Sequence, residues 1–409
     1  MDNKNKLCLD LSIISMESRL LLEIIMKEYD DILWSVNNEM FLGVDWDLFL
    51  ELAIHHRVYP LIFTKLNNFD KKLIPHHVIL TLSKEYKKNT FQMLHLSGEM
   101  EQVSKLFAEN QIRLLFLKGP VIAADIYGDI SLRTSKDLDI LIPKSDIKKA
   151  EELLLNYGYE KEEVQDIFGE WKWRNHHVTY FHPQKRIQIE IHWRLHPRPT
   201  KEPSFIELWE RKRVSKLTSY PVFFLGKEDL FLFLVSHGAR HGWFRLRWLV
   251  DIDQIVRKSR NFEKSILSNY YQNNLLVGQA LILASQLLKT PIIKEINILK
   301  LSYRSRKLAQ LAVFYIKEKG FEDIKKPQKA FDKYNHSLFS LKSNLRRSFY
   351  LNLYQFSVKS NLQKFYYIIE LFHPSSADVE TLILPRYLHF LYFPLRPFLW
   401  AWRKTRKIV

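Results

Sequence analysis

Apolar residues recur at three- and four-residue intervals through Leu20, Leu21, Ile24 and Ile25, and again through Leu48, Phe49, Leu52 and Ala53. That spacing puts each set on one helix face, so residues 12–110 read as helical, ending in a long helix from about His77 to Glu109. The period changes at residue 112. Ile112–Leu117 is a short, almost wholly apolar run, as expected of a buried strand, and it stops at Lys118-Gly119-Pro120. Proline suits the first turn of a helix, and glycine allows the tight turn before it. Asp137–Ile142 predicts a second strand and Lys144–Tyr157 an amphipathic helix ended by Gly158. His177–His182 and Arg186–Trp193 alternate on either side of Pro183-Gln184-Lys185, which predicts a hairpin. From Lys227 the helical period returns, through Asp229–Lys258, Ser265–Leu288, Tyr303–Lys319 and Ser337–Phe372.

These switches of period predict an α+β chain with a small mixed-sheet core flanked by N-terminal and C-terminal helical regions. The expected boundaries are a helical region 1–110, an α/β core 111–225, a helical domain 226–372 and an aromatic, basic tail 373–409 that follows Pro374-Ser375-Ser376. A length of 409 residues suits two or three such modules.

Composition removes several chemistries. The single cysteine, Cys8, excludes an internal disulfide framework and cysteine-based zinc clusters. No two of the 11 glycines are spaced as in a dinucleotide fingerprint or a P-loop, and no HExxH occurs. Gly238 and Gly242 enclose Arg240 where a nucleophile elbow needs serine. Work on phosphates would therefore rest on carboxylates and a metal. The N-terminus lacks a signal-peptide pattern and Leu275–Leu288 is too short to span a bilayer, so the expectation is a cytoplasmic chain, attached to a membrane at most peripherally.

The net charge of +17 suggests a polyanion, but +14 of it lies after residue 295. The near-neutral body points away from nucleic acid as substrate. In the tail, Tyr387, Phe390, Tyr392, Phe393, Phe398, Trp400 and Trp402 precede Arg403, Lys404, Arg406 and Lys407. Such a segment suits a membrane interface, or else a docked terminal helix with a solvated basic end.

Strand geometry selects the candidate site. Residues i and i+2 share a face, so Asp137 and Asp139 project together, as do Gln188, Glu190 and His192. Three carboxylates on neighbouring strands suit a hard divalent cation, Mg2+ or Mn2+. Asp-x-Asp alone is common at strand ends. Its order after a glycine turn and before a later-strand carboxylate is what singles it out.

That order resembles the polymerase-β-like nucleotidyltransferase superfamily. More narrowly, LKGPVIAADIYGDISLRTSKDLDILIP (residues 117–143) looks like a family of largely uncharacterised bacterial nucleotidyltransferases. The likeness continues in IEIHWRL (189–195), SHGARHGWFRLRWLVDID (236–253) and LPRYLHFLYFPLRPF (384–398). It implies an enzyme that moves an NMP group from an NTP to a hydroxyl or phosphate of a small-molecule or peptide acceptor, as in modified-peptide or surface-polysaccharide biosynthesis. Asp137, Asp139 and Glu190 would be catalytic and hold the metal, with Lys118, Gly119, Arg133 and Ser135 at the nucleotide. Pro120 departs from the superfamily's small residue and removes one backbone N–H from the phosphate cradle, a loss that Lys118 or Arg133 would offset. His192, His237, His241 and Arg245 are possible substrate contacts; the adjacent pair His176 and His177 receives no role. His237 and His241 stand one helical turn apart, with no third zinc ligand evident nearby. A nucleotide-sugar donor, or a nucleotide-binding module that no longer turns over, are the competing readings.

Overall fold

The computed structural model describes residues 8–27, 41–67, 73–162, 176–197, 199–258, 275–291, 303–317 and 353–406. Among the described residues, seven strands form one mixed sheet: β1 (Leu115–Phe116), β2 (Asp137–Leu141), β3 (Glu160–Lys161), β4 (His177–His182), β5 (Ile187–His192), β6 (Arg213–Ser215) and β7 (Val222–Phe224). Their order is β3-β4-β5-β2-β1-β7-β6. Strand β2 runs antiparallel to β1 and parallel to β5, while β4 and β5 form an antiparallel hairpin. The inward residues Leu138, Ile140, Ile187, Ile189 and Ile191 are all buried in the main core, which commits the alternate residues of β2 and β5 to the opposite face.

Helices precede and follow the sheet. The first group is α1 (Met16–Met26), α2 (Trp46–His55), α3 (Tyr59–Leu66) and α4 (His76–Glu109). Within the sheet region lie α5 (Pro120–Tyr127), α6 (Ile147–Asn156) and α7 (Phe205–Glu210). After it come α8 (Lys227–Arg240), α9 (Leu246–Lys258), α10 (Leu275–Leu288), α11 (Tyr303–Lys317), α12 (Asn361–Phe372), α13 (Ser376–Thr381) and α14 (Tyr392–Arg406). The 34-residue α4 packs on β2 and β7 and fixes the loop between α5 and β2: Asn89 Nδ2 donates to the Ser131 carbonyl at 2.8 Å, and the Tyr86 and Ser131 hydroxyls lie 2.8 Å apart. The chain is thus an α+β fold, a mixed sheet with helical flanks.

Three elements differ from expectation. The run 112–117 pairs as a strand only at Leu115 and Phe116, because Gln111 at φ 58° and the Ile112 N–H to Phe107 carbonyl bond finish α4 first. The single helix expected over 229–258 is two. Gly242 (φ 64°) and Trp243 (φ 57°) adopt left-handed backbone, and the Trp243 ring folds back onto Gly238 of α8. The helix expected over 337–372 is broken at residues 358–360, and its part before 353 lies outside the described residues, as do residues 265–274 of the helix expected over Ser265–Leu288.

In the tail, Arg396 pairs with Asp378, and Arg403 Nη2 lies 2.6 Å from Asp378 Oδ1, so two of the basic side chains are spent docking α14 onto α13. Phe398, Trp400 and Trp402 remain at least half exposed on the same helix. Lys407, and the side chains of Lys404 and Arg406, lie outside the described residues. No described helix is long and apolar enough to cross a membrane.

Candidate active site

The register of β2 and β5 places Asp139 directly beside Glu190 and Asp137 beside Gln188. On the far side of β5, His177 sits opposite His192 and Thr179 opposite Glu190. One sheet face therefore carries Asp137, Asp139, Glu190, His192 and His177.

Asp139, Glu190 and His192 form a close group, each offering a ligand atom within 4.8 Å of the others. His192 Nε2 stands 3.3 Å from Asp139 Oδ1 and 3.4 Å from Glu190 Oε2. Lys118, at the end of the apolar run leading out of β1, puts Nζ 2.8 Å from the same Asp139 oxygen. Burial would raise the Asp139 pKa, yet the Lys118 ammonium and then His192 hold it well below the usual carboxylate range. Glu190 is also held down against burial, chiefly by His192. Asp137 moves the other way, raised by burial and then by the Asp139 charge. Asp137 shares the face but stands outside the close group.

The turn before α5 is shaped as the sequence suggests. Gly119 has φ 96°, a conformation costly for any side chain, and Pro120 opens the helix. Ser135 donates from Oγ to the Asp137 carbonyl at 3.1 Å and so braces the start of β2.

Arg133 is paired with a buried carboxylate. Its side chain is 1 % exposed, and its guanidinium forks onto Asp251 of α9, Nε to Oδ1 at 3.0 Å and Nη2 to Oδ2 at 3.0 Å. Tyr127 donates to the same carboxylate at 2.8 Å. The expectation that Arg133 contacts nucleotide phosphates meets a guanidinium whose charge is already matched and whose surface is closed to solvent. Among the described residues, Lys118 and two arginines the sequence did not mark also act on the acidic face. Arg240 approaches His176 Nε2 at 3.5 Å, and its charge acts on Asp139 and Glu190. Arg247 donates to the Thr134 hydroxyl at 2.9 Å and acts on Asp137.

His237 and His241 at the α8 end pack against each other and Trp248 in tilted and edge-on contacts, ring centroids 4.7–5.2 Å apart. Burial, then the Arg240 and Lys118 cations, pushes His241 down to about 3; His237 is also displaced well below its ordinary value. Both are thus neutral at physiological pH, and neither belongs to a possible metal group among the described residues. Arg245 is buried, with its guanidinium over the Phe244 ring. The adjacent His176 and His177, left without a role by the sequence, do enter the site: together with His192 they form a second close group of possible ligands. The readable signal was parity, since His177 alternates with Thr179 along a strand that pairs with Glu190 and His192.

The family model for an uncharacterised nucleotidyltransferase matches residues 43–289, more than half of the chain. The chain belongs to that nucleotidyltransferase family. The matched span begins just before α2 and ends just after α10, so it takes in the whole sheet and the helices that carry Arg240 and Asp251. No curated protein and no solved structure matches this nucleotidyltransferase.

The donor set of this nucleotidyltransferase fits a divalent cation. Asp139 Oδ2 and His192 Nδ1 are buried without a hydrogen bond among the described residues, while Asp139 Oδ1 and His192 Nε2 stand at ion-pair distances. Leaving such atoms unmatched costs about 1–3 kcal/mol each.

Proposed function

We propose that this chain transfers an NMP group from an NTP to a hydroxyl or phosphate oxygen of a small-molecule or peptide acceptor, with Asp137, Asp139 and Glu190 as metal ligands. The observation that carries the reading is the Asp139–Glu190 pair held side by side by the β2–β5 register, with Asp137 on the same face and the Lys118-Gly119 turn beside it. In the reaction the acceptor oxygen bonds to the α-phosphorus, the bond from that phosphorus to the bridging oxygen breaks, and pyrophosphate leaves. A Mg2+ or Mn2+ ion at the carboxylates would neutralise charge building on the phosphate oxygens. Lys118 would turn from Asp139 to the leaving pyrophosphate. Glu190, the more exposed carboxylate, would accept the acceptor's proton directly or through water.

The acceptor would enter from a cleft of about 1640 Å3 between the segment after β5 and the residues around α12, lined among others by Arg194, Arg240, Gln363 and Tyr366. Arginines beside aromatic and apolar side chains suit an anionic, partly apolar acceptor. The exposed aromatic face of α14 would rest on an anionic lipid surface.

Asp139→Asn and the less buried Glu190→Gln test the assignment by pyrophosphate release across the four NTPs with Mg2+. Both variants should remain folded and lose turnover; unchanged turnover in either removes these carboxylates from the mechanism. One observation favours a second reading. Lys118 and His192 already neutralise Asp139, as in a nucleotide-binding module that no longer turns over. Calorimetric nucleotide binding that needs no Mg2+ and yields no pyrophosphate would select it. Offering nucleotide-sugars in the same assay separates the remaining donor class.

A further inference from the structure

We propose that His176, His177 and His192 form a nitrogen-ligated site for a first-row transition metal, Zn2+ being the best match, next to the Asp139–Glu190 carboxylates and sharing His192 with them. Three imidazoles are gathered at the open end of the β4–β5 hairpin, from the first residue of β4, the one before it and the last residue of β5. Their ring centroids are 4.7 Å (His176–His177), 4.9 Å (His177–His192) and 5.5 Å (His176–His192) apart, and one nitrogen of each lies within 4.8 Å of the others. Backbone pairing sets this up. His177 is the register partner of His192, and the Trp193 N–H donates to the His176 carbonyl at 3.1 Å.

Ordinary packing leaves the group poorly satisfied. Among the described residues, His177 Nδ1 and His192 Nδ1 are buried without a hydrogen bond, His192 Nε2 has only the 3.3 and 3.4 Å carboxylate contacts, and the His192 side chain is only 6 % exposed. Three protonated rings this close would repel one another, and three neutral rings leave buried nitrogens unmatched. An ion resolves both problems. Nitrogen ligands around tetrahedral Zn2+ at about 2.0–2.1 Å lie roughly 3.3 Å apart, so modest side-chain rotations close the present spacing.

Imidazole also decides the kind of ion. Mg2+ keeps to oxygen and water, whereas three imidazoles with an open position suit Zn2+ or Co2+. Glu190 Oε2 lies 4.0 Å from His177 Nε2, near enough to supply charge as a neighbour or a fourth ligand. Arg240 opposes the ion from the His176 side at 3.5 Å and must give up that long contact; Asp139 and Glu190 offset its charge. The site deepens the nucleotidyl-transfer reading by giving the acceptor side an ion that the carboxylates alone would not select.

The test is a Co2+ titration of the chelator-stripped full chain in excess Mg2+, followed by visible d–d absorption. One equivalent should give the intense band of a low-coordinate, nitrogen-ligated ion, and Zn2+ should displace it. His176→Gln and His177→Gln should each weaken Co2+ at least about tenfold, with melting temperatures confirming that both fold. Asp137→Asn should keep the band. No band in the native chain, or an unchanged one in either histidine variant, overturns the proposal. Pyrophosphate release with Mg2+ in the same preparations reports separately on nucleotidyl transfer, so either reading can fail alone.

Discussion

Asp251→Asn tests whether Arg133 is a structural or a ligand-binding cation. The substitution keeps the shape of the side chain and an acceptor for Tyr127, and removes only the charge. The guanidinium it leaves behind is 1 % exposed, loses its counter-charge and keeps an acceptor for only one of its two 3.0 Å contacts. Breaking one side of a buried pair costs about 3–5 kcal/mol, a large share of the roughly 5–15 kcal/mol that holds a domain together. With a urea slope of about 2–3 kcal/mol per M, the unfolding midpoint should fall by about 1–2.5 M. The assay is urea unfolding followed by tryptophan fluorescence, with Arg133→Met/Asp251→Leu alongside. The double variant removes both charges and should recover most of the loss, and it should bind NTP as the native chain does. A midpoint shift in Asp251→Asn worth less than about 1 kcal/mol would refute the claim that the pair is structural. So would a folded double variant that has lost NTP affinity, because Arg133 would then be touching phosphate.

Gly238→Ala puts a methyl 2.4–2.7 Å from three ring atoms of the fully buried Trp243, and overpacking there should destabilise by about 1–3 kcal/mol in thermal unfolding; Gly98→Ala, with nothing within 4 Å, should instead stabilise by up to about 1 kcal/mol. His241 is held neutral, with its folded pKa at about 3 against an unfolded value near 6.5. Its contribution is therefore fully present above pH 6.5 and is lost as the pH falls from there toward 3. The loss is on the order of 2–4 kcal/mol after allowance for partial exposure, and acid unfolding of His241→Asn should show a shallower slope. On vesicles rich in anionic lipid, the native chain should float; Phe398→Ser/Trp400→Ser/Trp402→Ser should float about tenfold less, and equal flotation would rule the α14 face out as a membrane contact.

Much of the sheet region could be read from the chain because period-2 patterns carry their own geometry. The hairpin His177–His182 with Ile187–His192, and the common face of Asp139 and Glu190, follow from alternation of isoleucine with polar residues. Strands β3, β6 and β7 were not legible. At two or three residues each, they owe their pairing to neighbours brought close by the fold rather than to any pattern of their own. The break at Gly242-Trp243 was hidden for a similar reason: a left-handed tryptophan is paid for by its burial against Gly238, a contact visible only in three dimensions. The pairing of Arg133 was not legible either, because Asp251 lies 118 residues further along the chain and only the fold brings the two together.

The turn joining β4 to β5 reaches further than its length suggests. Arg186 occupies φ 53°, and its N–H returns to the His182 carbonyl at 2.7 Å, which fixes where counting along β5 begins. Lying on the acidic face of the sheet is thereby a matter of parity: odd positions on β2, even positions on β5. A single residue inserted in that turn would exchange the two sets of β5, sending Glu190 and His192 into the hydrocarbon interior and three isoleucines onto the acidic face. Substitutions on that face can retune this protein in small steps, but a change of length at residues 183–186 offers none.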